Sequence, residues 1–145
     1  MEQEREARIW QRVAGTREEG TLSGLRGMIR ESGELAGAYR RAAENLTGPQ
    51  RQLAVRLLAL EQSVTASLRG IALLSGSPEE AVKQWIPAKG DLKAQLTGCY
   101  HRALRCQAEY MAHSLEPEYG SVYRQLAQRQ ESQCALLAEL LGRLG

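Results

Sequence analysis

The clearest pattern in the chain lies between Arg56 and Arg69, where Leu57, Glu61, Val64 and Leu68, followed by Ile71, recur at steps of four and three. That spacing puts all five on one side of an α-helix, so the helix presents a core stripe with a carboxylate in it. An ionised carboxylate in an apolar core costs several kcal/mol unless something pairs with it. Glu61 therefore either has partners in the core or lies at the edge of the stripe and reaches water.

Three further segments carry the same period. From Leu22 to Asn45 the stripe is Leu25, Met28/Ile29, Ser32, Leu35/Ala36, Tyr39, Ala42/Ala43 and Leu46. From Asp91, a plausible N-cap, to about Leu115 it is Leu92, Leu96, Cys99, Ala103, Cys106, Tyr110 and His113. From Glu116-Pro117 onward it is Tyr119, Val122/Tyr123, Leu126, Gln130, Gln133, Leu137, Leu140/Leu141 and Leu144, with two glutamines in the middle. The turn Leu46-Thr47-Gly48-Pro49 separates the first long helix from the second, and Pro49 suits a first helical position. Ser75-Gly76 stops the second helix, and Ser77-Pro78-Glu79-Glu80 reads as a capping box that opens a short helix over 78–86, through Trp85. Glu2–Ala14 predicts a separate amphipathic helix with Ile9, Trp10 and Val13 on one side, ended by Gly15 and the polar run to Gly20 and packed outside the main body.

The expectation is one all-α domain over 1–145: an N-terminal helix and linker (1–20), a first helical hairpin (22–75), a crossover (76–90) and a second hairpin (91–144), together a four-helix bundle. The halves also repeat. Ser32 lies seven residues before Tyr39 and Ala103 seven before Tyr110; Tyr39 to Glu61 is 22 residues and Tyr110 to Gln130 is 20.

In length, register and turns the chain resembles the ferritin-like superfamily, specifically the small rubrerythrin-like bacterial proteins. The segments AYRRAAENLTGPQRQLAVRLLALEQ, LRGIALLSG, CYHRALRCQAEY and PEYGSVYRQLAQRQESQCALLAELLG carry the resemblance. It implies a ferritin-like four-helix bundle in which a Glu on the first and third helices and a Glu-x-x-His on the second and fourth converge on two iron ions. Carried over by position, those ligand sites are Ser32, Glu61, Val64, Ala103, Gln130 and Gln133. One ligand of the six survives, and no Glu-x-x-His occurs anywhere in the chain. His101 is off the stripe, and His113 lies about 15 Å of helix from the Ala103 layer. The expectation is a bundle without its metals: no metal bound, no catalytic residue and no cofactor, with iron in a rearranged site around Glu61 as the alternative. Gln130 and Gln133 read as polar partners for Glu61, and Tyr39 and Tyr110 as hydrogen-bonding core residues.

Composition narrows the function classes. Lys and Arg number 19, Asp and Glu 17, and the two signs are interspersed, so no basic stripe of the kind nucleic acid requires is present. No apolar run approaches the roughly 18–20 residues needed to cross a bilayer, and MEQEREARIW is too polar for a signal peptide, so the expected location is the cytoplasm, away from membranes. Three cysteines, none in a C-x-x-C pair, argue against a disulfide framework or a zinc knuckle and read as small buried hydrophobes. Gly33 and Gly37 form a G-x-x-x-G that costs about 1 kcal/mol per glycine in a helix. Close packing there, against the N-terminal helix or against a second chain in a homodimer, would offset that cost. Glu109 and His113 are an i, i+4 pair, expected to be solvated. The functional expectation is a non-catalytic interaction or scaffold protein with a protein partner; the alternative is a rubrerythrin-like oxidoreductase or metal-binding protein.

Overall fold

In the computed structural model, which describes residues 2–76 and 90–145 (side chains from residue 24 onward), the chain folds into four α-helices and, among those residues, no strand. They are α1 (Glu2–Asn45), α2 (Gly48–Leu74), α3 (Leu92–His113) and α4 (Gly120–Arg143). The break expected between residues 14 and 22 is absent: α1 is a single helix of 44 residues. Gly15 and Gly20 weaken a helix interior, but they keep the N–H that proline lacks and introduce no clash, so the backbone ladder continues through them. At 1.5 Å per residue α1 is about 66 Å long against about 40 Å for α2, and it extends past the bundle at its N-terminal end. The outward packing expected for Ile9, Trp10 and Val13 concerns side chains outside the described residues. So do the capping box and the short helix over 78–86.

Local chemistry explains the helix ends. Thr47 occupies the N-cap position of α2 without a side-chain capping bond, and Gly48 is the first helical residue, at φ +59°, a left-handed conformation that glycine adopts without strain. Pro49 therefore takes the second helical position rather than the first. Asp91 caps α3 as expected, its Oδ1 accepting from Ala94 N–H at 2.8 Å. The fourth helix starts at Gly120 rather than at Pro117, because 117–119 complete a turn that brings Gly120 N–H to Glu116 O at 3.0 Å. Gly120 also lies close against the preceding turn. A Cβ there would lie 2.4 Å from the Ser114 carbonyl oxygen.

The helices form a ring in the order α1–α2–α4–α3, with extensive contact inside each hairpin and between α2 and α4, and a thinner seam between α1 and α3. Neighbours are antiparallel around the whole ring. Across the α1/α3 seam Arg102 pairs with Glu34 while Arg105 reaches back to Glu31 at 3.7 Å. Between α2 and α4, Gln50 at the start of one meets the Arg143 carbonyl at the end of the other, at 3.2 Å. α2 and α3 thus run the same way on a diagonal, so α2 ends and α3 begins at opposite ends of the bundle. One long crossover between two hairpins produces this polarity; an up-down-up-down bundle with short loops does not.

The predicted stripes form the core. Leu25, Leu35 and Tyr39 of α1, Leu57, Val64 and Leu68 of α2, Leu96, Ala103 and Tyr110 of α3, and Leu126, Leu137 and Leu140 of α4 are all buried. One expectation needs correction. α2 does contain an 18-residue window with mean hydropathy 1.3, long and apolar enough by length and composition to cross a membrane. Its buried face is the stripe that carries Glu61 into the bundle core.

Candidate functional site

Where the two hairpins face each other, polar side chains interrupt the apolar core. Ser32, Glu61, Gln130 and Gln133 are the polar residues buried completely among the described ones, and Val64 and Ala103 are buried with no exposure beside them. All six positions picked out in the sequence therefore lie inside the bundle. The 3/4 stripes put them there: each is a core position of its helix, occupied by a polar side chain in four cases.

Glu61 is the hub. Its Oε2 accepts from Gln130 Nε2 at 2.8 Å and from Gln133 Nε2 at 2.6 Å, so both mid-stripe glutamines of α4 bond one oxygen of the α2 carboxyl. Gln133 is oriented in turn by Tyr39, whose hydroxyl donates to its Oε1 at 3.0 Å across the bundle diagonal. Ser32 lies beside the carboxyl, and its hydroxyl makes its close contact with Thr65 Oγ1, at 2.6 Å, while Thr65 donates to the Glu61 carbonyl at 3.0 Å. Thr65 was missed in the sequence; the available signal was a hydroxyl four residues after Glu61, the spacing at which Ser and Thr bond back to the preceding turn.

Burial pushes the Glu61 carboxyl above its ordinary range. The hydrogen bonds from Gln133 and Gln130 and the neighbouring Ser32 oppose that rise, and the negative charge of Glu31 adds to it. Burial likewise raises the Tyr39 phenol, with Glu61 reinforcing the effect. The three cysteines are free and buried; Cys99 is pushed up to about 11, chiefly by desolvation, and such thiols are poor nucleophiles and poor metal ligands.

The twofold repeat seen in the sequence is broken at the site. Tyr39 finds Gln133, but Tyr110, its counterpart in the second hairpin, has a buried hydroxyl with no partner among the described residues. The position equivalent to Gln133 in the first hairpin is Val64, which offers nothing to bond. Glu61 Oε1 and Gln130 Oε1 are likewise buried without a partner.

The peripheral candidates do not join the layer. His101 is exposed and meets the Tyr100 ring edge-on. His113 pairs not with Glu109 but with Glu116, Nδ1 to Oε1 at 2.6 Å, and stacks on Tyr123. Gly33 and Gly37 are half-buried, one turn apart on α1. The ion pairs of Arg102 with Glu31 and Glu34 close the α1/α3 seam and were not anticipated; the signal was the Glu31/Glu34 pair, three residues apart on one face of α1. Among the described residues, no three of His, Cys, Asp and Glu are placed to share a metal ion.

Comparison with known proteins returned no match: no family model, no curated protein and no solved structure corresponds to this chain.

Proposed function

We propose that this chain is a ferritin-like bundle whose di-iron layer has been replaced by a hydrogen-bonded polar staple, and that it works in the cytoplasm as a non-catalytic interaction or scaffold protein. The ring order and the single crossover joining the parallel, diagonal helices α2 and α3 support the ferritin-like reading, because these features set that fold apart from up-down-up-down bundles. The observation that carries the functional reading is the commitment of Glu61 Oε2 to two amides. Two iron ions bring several positive charges and call for carboxylate and imidazole donors. Here one carboxyl faces two amides, a hydroxyl, a valine and an alanine, and the carboxyl already serves as acceptor for the amides. The residues do not fit the metal pair.

Contact with a protein partner or a second copy of the chain is supported by the apolar surface where α2 and α3 end. Leu73, Leu74 and Leu115 are 70%, 76% and 85% exposed there. The test is ferrous-iron oxidation and peroxide reduction by the purified chain supplied with iron. The expected rate equals that of buffer. Turnover that disappears in Glu61→Ala would overturn the reading in favour of an iron site rearranged around Glu61.

A further inference from the structure

The hydrogen bonds of the Glu61 layer do not balance if Glu61 is a carboxylate. Oε2 takes two N–H donors, which fills its two lone pairs, and Oε1 takes none, although both oxygens of a carboxylate share the negative charge. A neutral carboxylic acid has this asymmetry built in, with a carbonyl oxygen that accepts and a hydroxyl oxygen that donates. A second unpartnered acceptor, Gln130 Oε1, belongs to the amide already joined to Glu61 through Nε2 and Oε2. The pair is short of one donor and has two acceptors to spare.

No neighbouring hydroxyl bonds Oε1: Thr65 Oγ1 donates to the Glu61 carbonyl, Ser32 makes its 2.6 Å contact with Thr65, in which either hydroxyl can be the donor, and the buried Tyr110 hydroxyl has no partner among the described residues. Tyr39 donates to Gln133. Turning the Gln130 amide over would set its oxygen against Oε2, and the contact would still need a proton. We propose that Glu61 is a buried proton-binding site: its carboxyl is a neutral acid at neutral pH, with the proton on Oε1 and shared with Oε1 of Gln130.

The groups that face the carboxyl from every helix agree with this. α1 presents Ser32, Tyr39 and, nearby, the anion Glu31; α2 itself contributes Val64 and Thr65. From α3 come Ala103, the Tyr110 phenol and the buried thiols Cys99 and Cys106, and from α4 the two glutamines. Arg102, the cation that closes the α1/α3 seam, is held by Glu31 and Glu34. Desolvation and the Glu31 charge both act in the same direction, toward holding the proton.

The consequence is a core that depends on pH with a definite sign. The proton is held more tightly in the folded than in the unfolded chain, where a glutamate titrates at about 4.3. The stabilisation is complete below that value and is lost as pH rises through the folded-state value, the folding equilibrium falling about tenfold per pH unit in between. The direct test is a pH titration of the full chain carrying 13C-labelled glutamate, with the Glu61 side-chain carbon followed by NMR and assigned by its disappearance in Glu61→Gln. The expected result is an acid-form resonance that persists at neutral pH, well above the point where the other carboxylates have titrated. Glu61→Gln should fold as stably as wild type at neutral pH and lose this part of the pH dependence, because its amide donates to Gln130 where the acid did. A Glu61 carbon already in the carboxylate form at about pH 6, whether a water or a cation compensates it, would overturn the proposal. So would Glu61→Gln that folds but keeps the full pH dependence of wild type. If the variant does not fold, the wild-type titration still decides without assignment, since a glutamate carbon in the acid form at neutral pH in the folded chain supports the proposal and the lack of one overturns it.

Discussion

Replacing each of the twin tyrosines by phenylalanine should have opposite consequences. Tyr39 and Tyr110 are both completely buried, occupy equivalent places in the two hairpins and would each lose one oxygen atom. Tyr39→Phe removes the donor to Gln133 Oε1, a 3.0 Å bond between buried groups, and leaves that oxygen without a partner. Stranding a buried acceptor costs about 1–3 kcal/mol. Tyr110→Phe removes a hydroxyl that has no partner among the described residues, so nothing is stranded and the desolvation of one polar group is relieved. It should be neutral or stabilise by about 1 kcal/mol. The two variants should therefore differ by roughly 1–4 kcal/mol in unfolding free energy, or about 2–4 °C in Tm for each kcal/mol in a chain of this size. Urea unfolding of wild type and both variants at one neutral pH, followed by circular dichroism, measures the difference with m unchanged. Equal losses, or a larger loss for Tyr110→Phe, would refute the reasoning, since Tyr110 would then have a bonding partner as good as that of Tyr39.

Other substitutions test the packing and the caps. Gly120→Ala should destabilise by about 1–3 kcal/mol or more in the same assay, because its Cβ would meet the Ser114 carbonyl oxygen at 2.4 Å. Gly98→Ala, with nothing within 4 Å of the new Cβ, should stabilise by up to about 1 kcal/mol. Asp91→Ala removes the cap on Ala94 N–H and should cost about 0.5–2 kcal/mol, visible as a lowered Tm.

Much of this architecture was legible because helix burial repeats at 3.6 residues. Leu57, Glu61, Val64, Leu68 and Ile71 share one face by spacing alone, and all five are buried. Placing Gln130 and Gln133 opposite Glu61 followed from the same register, since a polar residue inside a stripe needs another polar residue across from it. Helix ends were less legible. Glycine signals a break only weakly, so Gly15 and Gly20 suggested an interruption that the backbone does not make, whereas the close approach of Gly120 to Ser114 depends on the folded turn. Hydroxyl partners were harder still. Ser32 could have bonded Glu61 or Thr65, and the choice rests on where Thr65 sends its own proton, a detail of local geometry that spacing does not encode.

The central claim is that a single carboxyl, tied to two glutamine amides, holds the middle of this bundle in place of a metal pair. Elemental analysis of the full chain, expressed with abundant iron and purified without chelator, tests it most directly. The account predicts iron, manganese and zinc at well below one ion per chain, with unfolding by urea unaffected by added ferrous iron. Two tightly held metal ions per chain, lost together in Glu61→Ala, would contradict it.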